Sequence, residues 1–134
     1  MILVDTNVWS ENSKANGFRR VLDWIDANRD ELWLSTIVIA EFWAGIENPA
    51  AIHKRGGLQS WLTSLEAAMV ERTLPFDSGA AHVLGRLLIV KSQDNKMLDT
   101  LLAAQALSRD CPVATRNVRD FEWAGVRLIN PWEP

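Results

Sequence analysis

The strongest constraint on this chain is an alternation of two apolar patterns. Brief runs at Met1–Val4, Leu32–Leu34, Thr73–Phe76, Pro112–Thr115 and Arg127–Ile129 alternate with longer stretches whose apolar residues recur at helical spacing. The short runs predict strands and the long ones helices. Strands that alternate with helices give an α/β domain with a mainly parallel sheet. Met1–Val4 is apolar throughout, the pattern of a strand buried on both faces. Pro75 cannot donate to a ladder, which predicts that the third strand lies at an edge.

The helices are expected at Thr6–Ser13, Gly17–Asn28, Thr36–Glu47, a long one from Pro49 to Glu71, then Asp77–Val90, Lys96–Arg109 and a short turn at Val118–Trp123. Ser35 or Thr36 is placed to cap the third of these, and Asp77 to cap the helix that follows it. Gly56 and Gly57 weaken the long helix by about 1 kcal/mol each. The 134 residues predict one domain, residues 1–134, with no internal repeat. With 48% hydrophobic and 23% charged residues, the chain can bury a core without a disulfide or structural metal. Cys111 is alone, so it reads as a small buried residue, and with only His53 and His82 it matches no zinc spacing. Met1–Val4 is too short for an export signal, and Ile37–Ile46 is interrupted by Glu41 and about half a membrane span. The expectation is a cytoplasmic protein with no membrane partner.

A net charge of −3 argues against binding nucleic acid through a general basic field. Any such role needs a local site. Open parallel sheets bind ligands beyond the carboxyl ends of their strands, and the acidic residues converge there. Asp5 follows the first strand directly. Glu41 shares its helix face with Ile37, Val38, Ala44 and Gly45, an apolar setting for a carboxylate. Asp99 opens a helix above Leu102, Ala103 and Ala106, and Asn117 follows the fourth strand, with Asp120 one turn on. Crowded carboxylates raise one another's pKa, and a hard divalent cation relieves this. Oxygen donors without Cys or His favour Mg²⁺ or Mn²⁺. The chemistry expected is metal-assisted phosphodiester hydrolysis. Simpler roles remain open: Asp5 as a cap, Asp99 as a helix-dipole partner, Glu41 as the mate of a buried arginine.

Five segments in order, MILVDTNVWSE, STIVIAEFWAGI, LPFD, MLDTLLAAQAL and VATRNVRDFEWAGVRLINPW, resemble the PIN-domain family and, within it, the VapC-type toxins. The resemblance implies a three-layer α/β/α sandwich with strand order 3-2-1-4-5. It implies a Mg²⁺- or Mn²⁺-dependent endoribonuclease held in check by a cognate antitoxin, commonly as a homodimer. Carried onto this sequence, Asp5 and Asp99 are the metal carboxylates, Glu41 completes the triad, and Thr6 and Thr115 support it. Asn117 stands where the family often has a fourth acid, and Asp120 is the alternative occupant of that role. Arg116 and Arg119 either approach RNA phosphate or solvate a loop. Lys14, Arg19, Arg20, Lys91 and Lys96 are a weak basic rim or an ordinary solvated face. Trp9 and Trp43 either pack in the core or line a groove for an antitoxin segment or an RNA base.

Two readings compete with the nuclease. One is a catalytically weak module that uses the fold to hold RNA or protein, for which Asn117 gives grounds. The other is an aspartyl-phosphate phosphatase, disfavoured because Asn7 stands where a second acid is needed. An antitoxin is expected to act by presenting a cation to the acidic cleft or an apolar segment beside it.

Overall fold

The computed structural model describes residues 1–134. Five strands form one sheet: β1 (Ile2–Val4), β2 (Leu32–Ser35), β3 (Thr73–Leu74), β4 (Val113–Ala114) and β5 (Leu128–Ile129). They lie in the order β3-β2-β1-β4-β5, and every neighbouring pair is parallel. β1 is central. Its Leu3 aligns with Trp33 and Val113, and its Val4 with Leu34 and Ala114. Leu3, Val4, Leu34, Val113 and Ala114 are fully buried, as the continuous apolar run requires. Seven helices cover the two faces, giving three layers: α1 (Thr6–Ser13), α2 (Arg19–Ala27), α3 (Thr36–Glu47), α4 (Arg55–Ala68), α5 (Ser78–Val90), α6 (Met97–Ser108) and α7 (Arg119–Glu122). None is long and apolar enough to cross a membrane.

β3 does lie at the edge, and it ends before Pro75. The single helix expected from Pro49 to Glu71 is instead broken. A 3₁₀ segment, Pro49–Lys54, comes first, with Asn48 accepting from the Ala50 N–H and Ala51 leaving helical geometry. The α-helix starts only at Arg55 and gives way after Ala68 to a 3₁₀ turn at Val70–Arg72. Gly56 and Gly57 therefore fall in the first turn of α4. Both capping expectations hold: Ser35 accepts from the Ile37 N–H and Asp77 from the Ala80 N–H.

One polar bridge crosses the core. Gln105 of α6 is fully buried. Its carbonyl oxygen accepts from the Ser35 hydroxyl, and its amide donates to the Leu74 carbonyl at 3.1 Å. The bridge pins α6 to the ends of β2 and β3 and to the first turn of α3. Cys111 is buried, and His53 and His82 are exposed.

Candidate active site

The chain leaves β1 towards β2 on one side, while β4 flanks β1 on the other. Strand order thus reverses between β1 and β4, where open α/β sheets form a ligand crevice. Asp5 follows β1 and Thr115 follows β4, so both stand at that crevice.

Asp5 is the N-cap of α1 and is buried, with 4% of its surface exposed. Its Oδ1 accepts from the Thr6 N–H at 2.8 Å. Its Oδ2 accepts from the Thr115 hydroxyl at 2.8 Å and from Asn7 Nδ2 at 3.1 Å. Three of about four acceptor sites are therefore taken, leaving one on Oδ1. Burial raises the pKa of Asp5 against the lowering effect of these bonds. The capping role open from sequence is real, and it coexists with a place in the crevice.

Glu41, on α3, accepts from the Thr6 hydroxyl through Oε1 at 2.9 Å. No arginine pairs with it, which closes that simpler reading. It is half-buried beside Val38, but Ala44 on the same face is exposed, so Glu41 sits at the margin of the buried face. Burial raises its pKa, with the Asp5 charge adding to the effect. Asp99 lies in the first turn of α6. Its pKa is pushed up to about 6, first by burial and then by the charges of Asp5, Asp120 and Glu41, with Lys96 opposing.

Asp5, Thr6, Glu41, Asp99 and Asn117 all line one cleft of about 480 Å³, together with Asn7, Ser10, Lys96, Met97 and Leu98. Thr115 supports it from behind through Asp5. Asp120 lies outside the cleft, with a carboxylate oxygen 3.9 Å from Lys96 Nζ; only its field reaches Asp5 and Asp99. Arg116 and Arg119 line a separate hollow that shares Asn117 with the cleft. Among the rim cations, Lys14 pairs with Glu11 and Arg19 with Asp23. Trp9 is buried, while Trp43 is 42% exposed.

Asn7 escaped sequence reasoning as a site residue. Its amide donates to Asp5 and to Thr115, and its Oδ1 accepts from the Arg116 N–H at 3.1 Å, which ties the β1 and β4 exits together. Its place two residues after a strand-end aspartate was the available signal.

No three acidic side chains close into a ready-made cage of ion ligands. Magnesium does not demand one, because it keeps several waters and takes one or two carboxylates. The donor set fits such an ion. All the donors are oxygens, and three carboxylates facing one cleft are each pushed towards protonation.

The fold and this acid-lined crevice mark a class, and the chain belongs to the PIN domain family, which it matches over residues 2–124. VapC ribonuclease Y4jK of Sinorhizobium fredii is 40% identical over 139 residues, covering 100% of this chain and 99% of that protein. Toxin FitB of Neisseria gonorrhoeae is 32% identical over 137 residues, covering 98% and 99%. The crystal structure of FitAcB from Neisseria gonorrhoeae superposes with a TM-score of 0.84 at 32% identity, covering 100% of both chains.

Proposed function

We infer that this chain is an endoribonuclease that hydrolyses RNA phosphodiester bonds as the toxin of a toxin–antitoxin pair, in the cytoplasm. The observation that carries this reading is the meeting of Asp5, Glu41 and Asp99 on one cleft at the strand-order reversal. Full-length similarity to a ribonuclease and to a toxin supports it.

Asp5, through the open side of Oδ1, and Asp99 would hold Mg²⁺ or Mn²⁺. When bound, the cation would polarise the phosphodiester and make water a stronger nucleophile. The Thr6 and Thr115 hydroxyls and the Asn7 amide orient the acids, so little reorganisation is left for the reaction. Thr6 donates to Glu41 Oε1 and orients the carboxylate, whose Oε2 accepts no protein hydrogen bond and can take a proton from the attacking water. The raised pKa of Glu41 suits that transfer. Asn117 adds an amide without charge at the cleft wall.

A cognate antitoxin is the expected partner, and Trp43, exposed on the helix that carries Glu41, offers it an apolar anchor. A second copy of the chain is the other. Leu88, Ile89 and Val90 at the end of α5, with Met97 and Leu98 at the start of α6, are 42–85% exposed. Apolar surface gathered in this way marks an interaction site.

The test is cleavage of single-stranded and structured RNA with and without Mg²⁺, by the wild type and by Asp5→Asn. The expected result is ion-dependent cleavage lost at least a hundredfold in the variant. Equal cleavage by the two proteins would remove the proposed chemistry.

A further inference from the structure

A nuclease with an acidic cleft must hold a polyanion by cations placed elsewhere. Of the arginines and lysines, six pair with carboxylates: Lys14, Arg19, Arg29, Lys96, Arg109 and Arg127. Arg116 and Arg119 are among the eight of fourteen that do not, and both line a hollow that also contains Asp120 and Glu133. Glu11 reaches Arg116 only through its field, because its oxygens are engaged by Lys14 and by the Phe18 N–H.

The hollow is about 360 Å³ and is completed by Asn117, Val118 and Asn130. That volume falls within the range of small-ligand sites. It adjoins the acidic cleft, since Asn117 lines both. The shared wall is braced: the Asn117 N–H donates to Thr115 Oγ1 at 3.0 Å, and Thr115 donates to Asp5. Arg116 is held at both ends. Its backbone N–H is fixed by Asn7, and its guanidinium carbon lies 5.2 Å from the centre of the Trp132 ring. The Trp132 backbone is held in turn by the bond from its main-chain N–H to Asn130 Oδ1. The guanidinium therefore lies over an indole, and the same exposed residue lines the hollow.

On the ribonuclease reading, we propose that this hollow is a nucleotide subsite next to the cleaved bond. The base of the flanking nucleotide stacks on Arg116, which Trp132 backs, and Arg119 contacts the phosphate of that nucleotide. Guanidinium planes are established stacking partners for unpaired bases, and the cation–π contact with Trp132 holds this one in place. The site is selective for unpaired strands, because a base held in a duplex is not free to stack there.

The experiment uses the full chain carrying Asp99→Asn, to prevent cleavage, and a short single-stranded RNA cut by the wild type. Abasic nucleotides are placed one position at a time, and affinity is measured by fluorescence anisotropy across a salt series. The expected result is a loss of about tenfold confined to one nucleotide bordering the cleaved bond. Adding Arg116→Ala or Trp132→Ala should remove that position's penalty, while Trp132→Phe keeps it. Arg119→Gln should lower the salt slope by about 0.7, the share of one phosphate contact on a single strand. Circular dichroism confirms that each variant is folded. If abasic penalties persist unchanged in Arg116→Ala, or none appears next to the cut, the subsite is wrong while the nuclease stands. If the wild type cuts no RNA, the nuclease reading itself falls.

Discussion

Asp99 is pushed towards protonation first by burial and then by the charges of its acidic neighbours. Its pKa, raised from 3.8 to about 6, means that the folded chain binds this proton more tightly than the unfolded chain does. Stability from this group is therefore present at low pH and is lost as pH rises towards 6 and beyond. Asp99→Asn should stabilise the chain at pH 7.5 by about 1 kcal/mol, a figure reduced because solvent screens the open side of the group. The gain should shrink at pH 4.5, which melting temperatures at the two values would check. A loss of stability in the variant at pH 7.5 would show that Asp99 has a stabilising partner instead. Activity has the opposite pH sense. On the proposed metal-dependent mechanism the ionised form is needed and a bound cation favours it, so the acid limb of RNA cleavage should lie no higher than about pH 6 and move lower as Mg²⁺ increases. The sequence makes these acids legible because each breaks a local apolar pattern, as Glu41 does beside Ile37 and Val38. It does not reveal Asn7 as a brace, since Thr115 and Arg116 lie more than a hundred positions away.

Two helices carry the acids that line the cleft with Asp5, and the Gln105 bridge links them. Ser35 caps α3, which bears Glu41, and the same hydroxyl donates to Gln105 of α6, which bears Asp99. Gln105→Met keeps the volume but leaves the Leu74 carbonyl without its buried partner and the Ser35 hydroxyl without an acceptor. The expected cost is about 1–3 kcal/mol, seen as a lower urea midpoint at unchanged slope. An unchanged midpoint would mean that the bridge contributes nothing to holding α3 against α6. From sequence, Gln105 is one polar residue among alanines, and its importance depends on an oxygen 70 positions distant. The break before α4 was likewise obscured. The apolar stripe of Leu58, Leu62 and Leu65 suits one long helix, but the turn capped by Asn48 takes up the residues before Arg55. The edge position of β3 was legible because proline removes a donor, a local fact that needs no knowledge of distant contacts.

At the scale of the whole molecule, strand alternation was enough to give a parallel α/β sheet, whereas the order 3-2-1-4-5 came from likeness to a family. The exposed apolar end of α5 belongs to this scale. Ile89 is 85% exposed, so Ile89→Glu should barely affect the monomer's stability. If a second copy covers this face, the variant sediments as a monomer at concentrations where the wild type is a dimer; identical sedimentation would place any dimer contact elsewhere. The dual role of Asp5 has a further consequence. Its carboxylate caps α1 and links the ends of β1 and β4, so a lesion there damages the scaffold along with the chemistry. Position 99 is expected to behave differently, since losing its raised-pKa carboxylate should stabilise the protein. On the toxin reading, harmless descendants of this gene should carry changes at 99 far more often than at 5. Those dead copies would persist as well-folded decoys, soaking up the inhibitor and releasing whatever live toxin remains.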